Sequence, residues 1–270
     1  MTLATSVVVS SYNQPRALRL GLEGLLRQSQ TPGEILIADD GSEEDTRLLV
    51  ASFGGRAPCP VRFVTQEHRG FGKARALNAA LRVARGETVA FLDGDCIPHR
   101  EWLEAHATGL RARGGYSVGG YVRLTLAQAE AIEAGRVESD DFLDASLRRR
   151  FRWFHLLQKV YIGLRKRKKP KIKGGNWAAT MEALLRVNGF DERFDGYGRS
   201  DTDIRNRLNA AGVRAASAWD RAFVFHCPHV MDPRRVEASA RRRVPDWDIH
   251  REGRARPRCE RGLVGPSTPA

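Results

Sequence analysis

The sequence predicts an α/β protein built on a mostly parallel, twisted sheet flanked by helices. Two observations predict it. Short runs rich in Val, Ile and Leu recur through the first half of the 270 residues. Between them, apolar residues return at helical spacing over roughly 10–15 positions. Strands separated by helices of this length imply a mostly parallel, twisted sheet with helices on both faces.

Taken in order, residues 6–11 (SVVVSS) read as a buried strand, and Leu18, Leu22, Leu25 and Leu26 then repeat with helical period. Residues 34–38 (EILIA) form a second strand. Ser42, followed three positions later by Asp45, resembles a helix start. Residues 61–65 make a third strand. Ala76, Leu77, Ala80, Leu81 and Ala84 mark a helix ending at Gly86, residues 88–92 a fourth strand, and residues 222–225 a later one.

Composition narrows the class. Apolar residues make up 41% of the chain, enough for a sizeable core. No apolar run approaches the roughly 18–20 residues of a membrane span. The N-terminus lacks a basic leader, so no signal peptide is expected. Cys59, Cys96, Cys227 and Cys259 are far apart with no CxxC. That argues against a disulfide scaffold or structural zinc and suits a reducing cytoplasm.

The net charge of +13 and a pI near 10.2 raise a nucleic-acid or anionic-surface partner. Between residues 147 and 173 there are 12 Lys or Arg and no Asp or Glu. The first part of this stretch interleaves Phe151, Trp153, Phe154, Leu156, Leu157, Val160, Tyr161 and Leu164 with arginines, as a basic amphipathic helix would. The second, RKRKKPKIK, is too charged to pack and is expected to be a mobile loop. It is followed by a second basic stretch, residues 234–261, and a polar tail with no core to join, expected to be poorly ordered.

In open parallel sheets ligands bind beyond the carboxyl ends of the strands. Here those ends carry Tyr12-Asn13-Gln14-Pro15, Asp39-Asp40-Gly41-Ser42 and Asp93-Gly94-Asp95. Four carboxylates and an aromatic ring therefore converge on one edge. Such a cluster is unfavourable unless a divalent cation or ligand donors relieve it. A Mg²⁺ or Mn²⁺ there could bridge a diphosphate.

Four ordered blocks then resemble the family 2 glycosyltransferases of the GT-A fold. They are VVVSSYNQP at 7–15, ADDGS at 38–42, GKARALNAALRVARGETVAFLDGD at 72–95, and GGNWAATMEALLRVNGFDERFDGYGRSDTDIRNRL at 174–208. The last is similar to the C-terminal region of β-galactosyltransferases. The resemblance implies a Rossmann-like nucleotide-sugar-binding half (1–125), an acceptor half (126–232) and a basic, partly disordered tail (233–270). It implies an inverting, metal-dependent transfer of a sugar from a UDP-sugar to a saccharide or lipid-linked hydroxyl, in polysaccharide or glycolipid synthesis.

Carried over by position, the resemblance puts Tyr12, Asp39 and Asp40 at the nucleotide. Lys73, Arg75 and Asn78, with Gly175 and Asn176 after Gly174, belong to the donor site. Asp93-Gly94-Asp95 matches the DxD motif, so Asp95, with Asp93, holds the metal. A His in the 226–229 region completes it, with His226 preferred over His229. Asp201 stands where the relatives carry the base, and Tyr197, Ser200 and Asp203 would contact the acceptor. Ser200 replaces a Glu common in relatives but keeps a helix-capping residue type. The basic amphipathic stretch 147–173 implies peripheral contact with an anionic membrane on its cytoplasmic face. A nucleic-acid-binding protein, or a non-catalytic homologue, is the alternative.

Overall fold

The computed structural model describes residues 5–166, 169–194, 199–228 and 246–265. The four expected strands form: β1 (Thr5–Ser11), β2 (Glu34–Asp39), β3 (Val61–Thr65) and β4 (Thr88–Asp93). They pair in parallel in the order β3-β2-β1-β4. Val7, Val8 and Val9 are fully buried, as a central strand covered on both faces requires. Helices α1 (Pro15–Leu26), α2 (Glu44–Gly54) and α3 (Lys73–Val83) connect them. The α2 start differs from expectation. Its cap is Glu43, because the Ser42 hydroxyl turns back to Asp39 and leaves the helix end to other groups.

Past β4 the chain departs from simple alternation. The strands β5 (Cys96–Pro98), β6 (Tyr116–Val118), β7 (Gly120–Arg123), β8 (Trp177–Thr180), β9 (Ala215–Ser217) and β10 (Phe223–His226) complete the strand set. β8 inserts antiparallel between β4 and β6, and β9 closes the seven-stranded sheet. The two halves therefore share one sheet. Strands β5, β10 and β7 form a second, three-stranded sheet. β10 hydrogen-bonds antiparallel to β5, opposing His226 to Cys96, which follows Asp95 in the chain.

The remaining helices are α4 (Trp102–Arg113), α5 (Leu126–Glu133), α6 (Ala145–Gly163), α7 (Met181–Val187), α8 (Ser200–Ala210) and α9 (Asp246–Ala255). The basic stretch does become a helix, α6, capped by Asp144, which accepts from Leu147 N–H. The loop after it packs more than its charge suggests: Pro170 and Ile172 are buried.

Of the C-terminal stretch, residues 233–245 and 266–270 lie outside the described residues, while 246–265 pack where a tail without a core was expected. Helix α9 packs on α8, and Leu263 and Cys259 are buried, Leu263 within the cluster around Trp177 and Phe190. Asn188 holds this segment through bonds to the Cys259 and Val264 carbonyls. Ile249, Cys259 and Leu263 are the buried apolar side chains that, with these backbone bonds, dock an otherwise polar segment. All four cysteines are free thiols. Among the described residues no helix is long and apolar enough to cross a membrane.

Candidate active site

Three element ends meet beyond the β4 carboxyl end. Asp93 closes β4, Lys73 opens α3, and Asp201 lies in the first turn of α8. Lys73 Nζ donates to Asp93 Oδ1 at 2.5 Å, and Ser10 Oγ donates to the same oxygen at 2.9 Å. A Cβ placed on Gly174 would sit 3.0 Å from Asp93 Oδ2, 3.0 Å from Lys73 Nζ and 3.1 Å from Asp201 Oδ2. The three groups thus surround a single point. Gly175 lies closer still: a Cβ there would be 2.7 Å from the Asp93 backbone nitrogen, too tight for any side chain. The GGN block is glycine-rich because it packs against the DxD strand end.

This geometry fixes the charges. Burial alone would lower the Lys73 pKa, but Asp93, Asp201 and Asp95 outweigh it and hold the ammonium above the ordinary lysine value. Burial would raise Asp93, yet Lys73, the Ser10 hydroxyl and His226 keep it below the usual carboxylate value. Asp201 goes the other way. Burial and the Asp93 charge raise it, against the pull of Lys73 and the Gly174 N–H. A carboxylate raised in this manner is a better proton acceptor than an exposed one.

The second DxD carboxylate faces the other sheet. Asp95 Oδ2 is 3.5 Å from His226 Nε2, and the Cys227 N–H donates to the Asp95 carbonyl, tying the two segments together. His226 is the last residue of β10 rather than one beyond it. Among the described residues no set of three or more His, Cys, Asp or Glu groups converges on a cation position. Asp95 and His226 are a pair of groups that could hold a divalent ion.

Tyr121 bridges these groups: its hydroxyl accepts the Gly175 N–H at 2.8 Å, its ring tilts against His226, and Lys173 Nζ lies 4.9 Å over it. Burial, with Cys96 and the two carboxylates Asp93 and Asp201, keeps its phenol neutral.

A second cluster adjoins the first through Gly72 and Lys73. Asp40 Oδ1 accepts from Gln66 Nε2 at 2.6 Å, and Oδ2 from the Gly72 N–H at 2.7 Å. Any side chain at Gly72 would collide with Asp40 and the Arg75 guanidinium. His68 Nδ1 lies 3.0 Å from the Asp40 carbonyl, and its ring stacks on Tyr12 with centroids 4.2 Å apart. Sequence reasoning passed over His68, Gln66 and Tyr121. Only the glycine directly before Lys73 hints at the tight approach to Asp40.

Several predicted site residues turn out to be spent inside the protein. Asp39 is fully buried and accepts from the Gly41 and Ser42 N–H groups and the Ser42 and Thr65 hydroxyls, so it builds the turn. Asn78 clamps residue 190 through both its donor and its acceptor, and also reaches Glu192. Asn176 donates to the Gly120 and Ala222 carbonyls and accepts from Trp102 Nε1, with His106 Nε2 2.9 Å away. Asp203 is buried on Arg207, 2.6 Å away, against α9. Ser200 occupies the first turn of α8, the cap being Arg199 at φ 65°. Tyr197 and His229 lie outside the described residues.

The glycosyl transferase family 2 model matches residues 6–178, and a model described as the N-terminal domain of galactosyltransferase matches residues 160–230. Chondroitin synthase of Escherichia coli is 26% identical over 243 residues, which are 82% of this chain and 34% of that protein. An Escherichia coli UDP-Glc:alpha-D-GlcNAc-diphosphoundecaprenol beta-1,3-glucosyltransferase is 34% identical over 92 residues, 34% of this chain and 35% of that one. The chain thus spans about a third of these two relatives. Among solved structures, a Pyrobaculum calidifontis mannosyltransferase in complex with GDP-Man and Mn²⁺ superposes with a TM-score of 0.58 at 24% identity. That match covers 93% of this chain and 61% of the other, and at this identity it speaks for the GT-A fold. Fold, strand-end carboxylates and a family match across most of the sheet agree: the chain belongs to glycosyl transferase family 2.

Proposed function

We propose that this chain transfers a sugar, with inversion, from a UDP-sugar to a hydroxyl of a saccharide or lipid-linked acceptor in polysaccharide or glycolipid synthesis. The observation that carries the reading is the position of Asp201. It lies beside Lys73 and the Gly174 N–H, across from the DxD aspartate, with its pKa raised by burial. Such a carboxylate takes the proton of an acceptor hydroxyl as the oxygen bonds to the anomeric carbon. The bond from that carbon to the β-phosphate oxygen breaks on the opposite face, and the diphosphate leaves with the electron pair.

Asp40 accepts the imide N–H of the base beside Tyr12, since each of its oxygens keeps a second lone pair after binding Gln66 or Gly72. Lys73 holds Asp93 ionised and sets the charge facing the donor. A divalent ion bound at Asp95 and His226 would neutralise charge developing on the departing diphosphate. Closure of the stretch 165–175, of which 167 and 168 lie outside the described residues, over the donor would limit its hydrolysis by water. The acceptor class follows the names of the two relatives, chondroitin synthase and the diphosphoundecaprenol glucosyltransferase.

The test is a thermal-shift screen with UDP, GDP and nucleotide-sugars, with and without Mn²⁺, followed by transfer assays on the Asp201→Asn variant. UDP should raise the melting temperature more with Mn²⁺ than without. Asp201→Asn should keep that shift while transfer falls by about 10²–10⁴-fold. Full transfer by Asp201→Asn would remove the base, and a preference for GDP would remove the uridine donor.

A further inference from the structure

Four of the large apolar side chains left exposed lie on one stripe of α6 and its C-cap. Trp153, Leu156, Val160 and Leu164 are 64%, 55%, 53% and 63% exposed. Their spacing of three, four and four places them on one face. The opposite face is occupied. Phe151 packs on Phe223, Phe154 meets Trp219, and His155 sits against Ser217 and Asp220. The stripe therefore points away from the protein.

The chain that carries it is basic. Between Asp144 and Glu182 there is no acidic residue. Arg149 is exposed within the stripe's N-terminal end, and by helical spacing the exposed Arg152 and Lys159 line one flank. The chain then adds Arg165, Lys166, Lys169, Lys171 and Lys173 before reaching Gly174 of the site.

We propose that this face docks α6 on an anionic lipid bilayer, lying in the plane of the interface. Charge complementarity selects that occupant. A second copy meeting the stripe symmetrically would set this basic helix face against another of the same charge. A nucleic acid would use the cations but leave Trp153, Leu156, Val160 and Leu164 without apolar partners. A bilayer of acidic phospholipid meets both: the apolar stripe enters the acyl boundary and the flanking cations reach the headgroups. The docking stands whether or not the chain transfers a sugar. That it brings residues 174 and 175 towards a lipid-linked acceptor rests on the transferase reading above.

The experiment is flotation of the full chain with phosphatidylcholine vesicles, with and without about one-third phosphatidylglycerol. The protein should float with the acidic vesicles at low salt, remain behind with the neutral ones, and release as salt rises. The Leu156→Glu/Val160→Glu double variant should stay unbound with an unchanged melting temperature. Removing one of Arg149, Arg152 or Lys159 should weaken partitioning about fivefold. Failure of the wild type to float at low salt overturns the proposal, as does equal flotation of the double variant. A dimer in sedimentation that the double variant abolishes, with no lipid binding, overturns it too and gives the face to a second copy. Asp201→Asn should float like the wild type, so failure of the catalytic reading and failure of the docking are separable.

Discussion

The ammonium of Lys73 lies 2.5 Å from Asp93 Oδ1 and also lowers the proton affinity of Asp201. One cation on the first turn of α3 thus serves a carboxylate at the end of β4 and another at the start of α8. The two side chains of the ion pair are each 24% exposed, so solvent screens them only in part.

Replacing Lys73 by Met removes that cation. Burial and Asp93 then raise the Asp201 pKa against the Gly174 N–H alone, and the base ionises only at higher pH. The acidic limb of the kcat/KM profile should move upward, and stability should fall by about 3 kcal/mol. An unmoved limb in the measured pH–rate profile would mean that Asp201 is not the titrating group.

At Gly175 the limit is steric. A methyl group there meets the Asp93 backbone nitrogen at 2.7 Å, and backbone does not yield as a flexible side chain does. Gly175→Ala should cost roughly 1–3 kcal/mol and depress transfer through displacement of Asp93. Gly163→Ala, whose added carbon meets nothing within 4 Å, is the control and should leave both unchanged or slightly improve stability. Denaturant melts and initial rates on the two variants distinguish them.

Asp203, two residues after Asp201, is expected to contact the acceptor, but its 2.6 Å partner is the buried Arg207. Arg207 in turn donates to the Val187 and Gly189 carbonyls. Asp203→Asn leaves that guanidinium without a counter-charge and should destabilise by about 3–5 kcal/mol. The kcat of protein still folded at low temperature should change little. A kcat loss as large as that of Asp201→Asn, with unchanged stability, would return Asp203 to the acceptor site.

His106 is buried with Asn176 Oδ1 and Ser117 Oγ against its two ring nitrogens. Burial lowers its pKa to about 4, only partly opposed by the Asn176 bond. Between pH 6.5 and 4 the unfolded chain therefore takes up the proton and the folded one does not. Stability rises with pH across that window and should drop by about 2 kcal/mol between pH 7 and pH 5 through this residue. Urea melts of wild type and His106→Gln at the two pH values read it: the variant should lose much of the pH dependence.

The four parallel strands and the aspartates at their ends were legible in the sequence. A buried central strand needs an unbroken apolar run such as Val7–Val8–Val9, and a loop aspartate shows by following it directly. The GGN block and Asp201 were legible only as members of ordered blocks. Helix α6 announced itself because its five cations, without an acid, are interleaved with aromatic and aliphatic residues.

What the sequence could not decide was where each polar side chain is spent. Asn176 has the composition of a ligand contact, yet its partners Trp102, His106, Gly120 and Ala222 come from remote parts of the chain. Asp39 and Asp40 are neighbours, but alternation along the strand end sends one into the turn and leaves the other beside Tyr12 and His68. The C-terminal segment was read as a tail because one leucine among polar residues carries no periodic signal; Leu263 finds its place only after Asn188 offers it backbone bonds. Strands and their ends are set by neighbours along the chain. Whether a buried polar atom faces protein or ligand is set by hydrogen bonds across long sequence separations, and those exist only once the sheet has assembled.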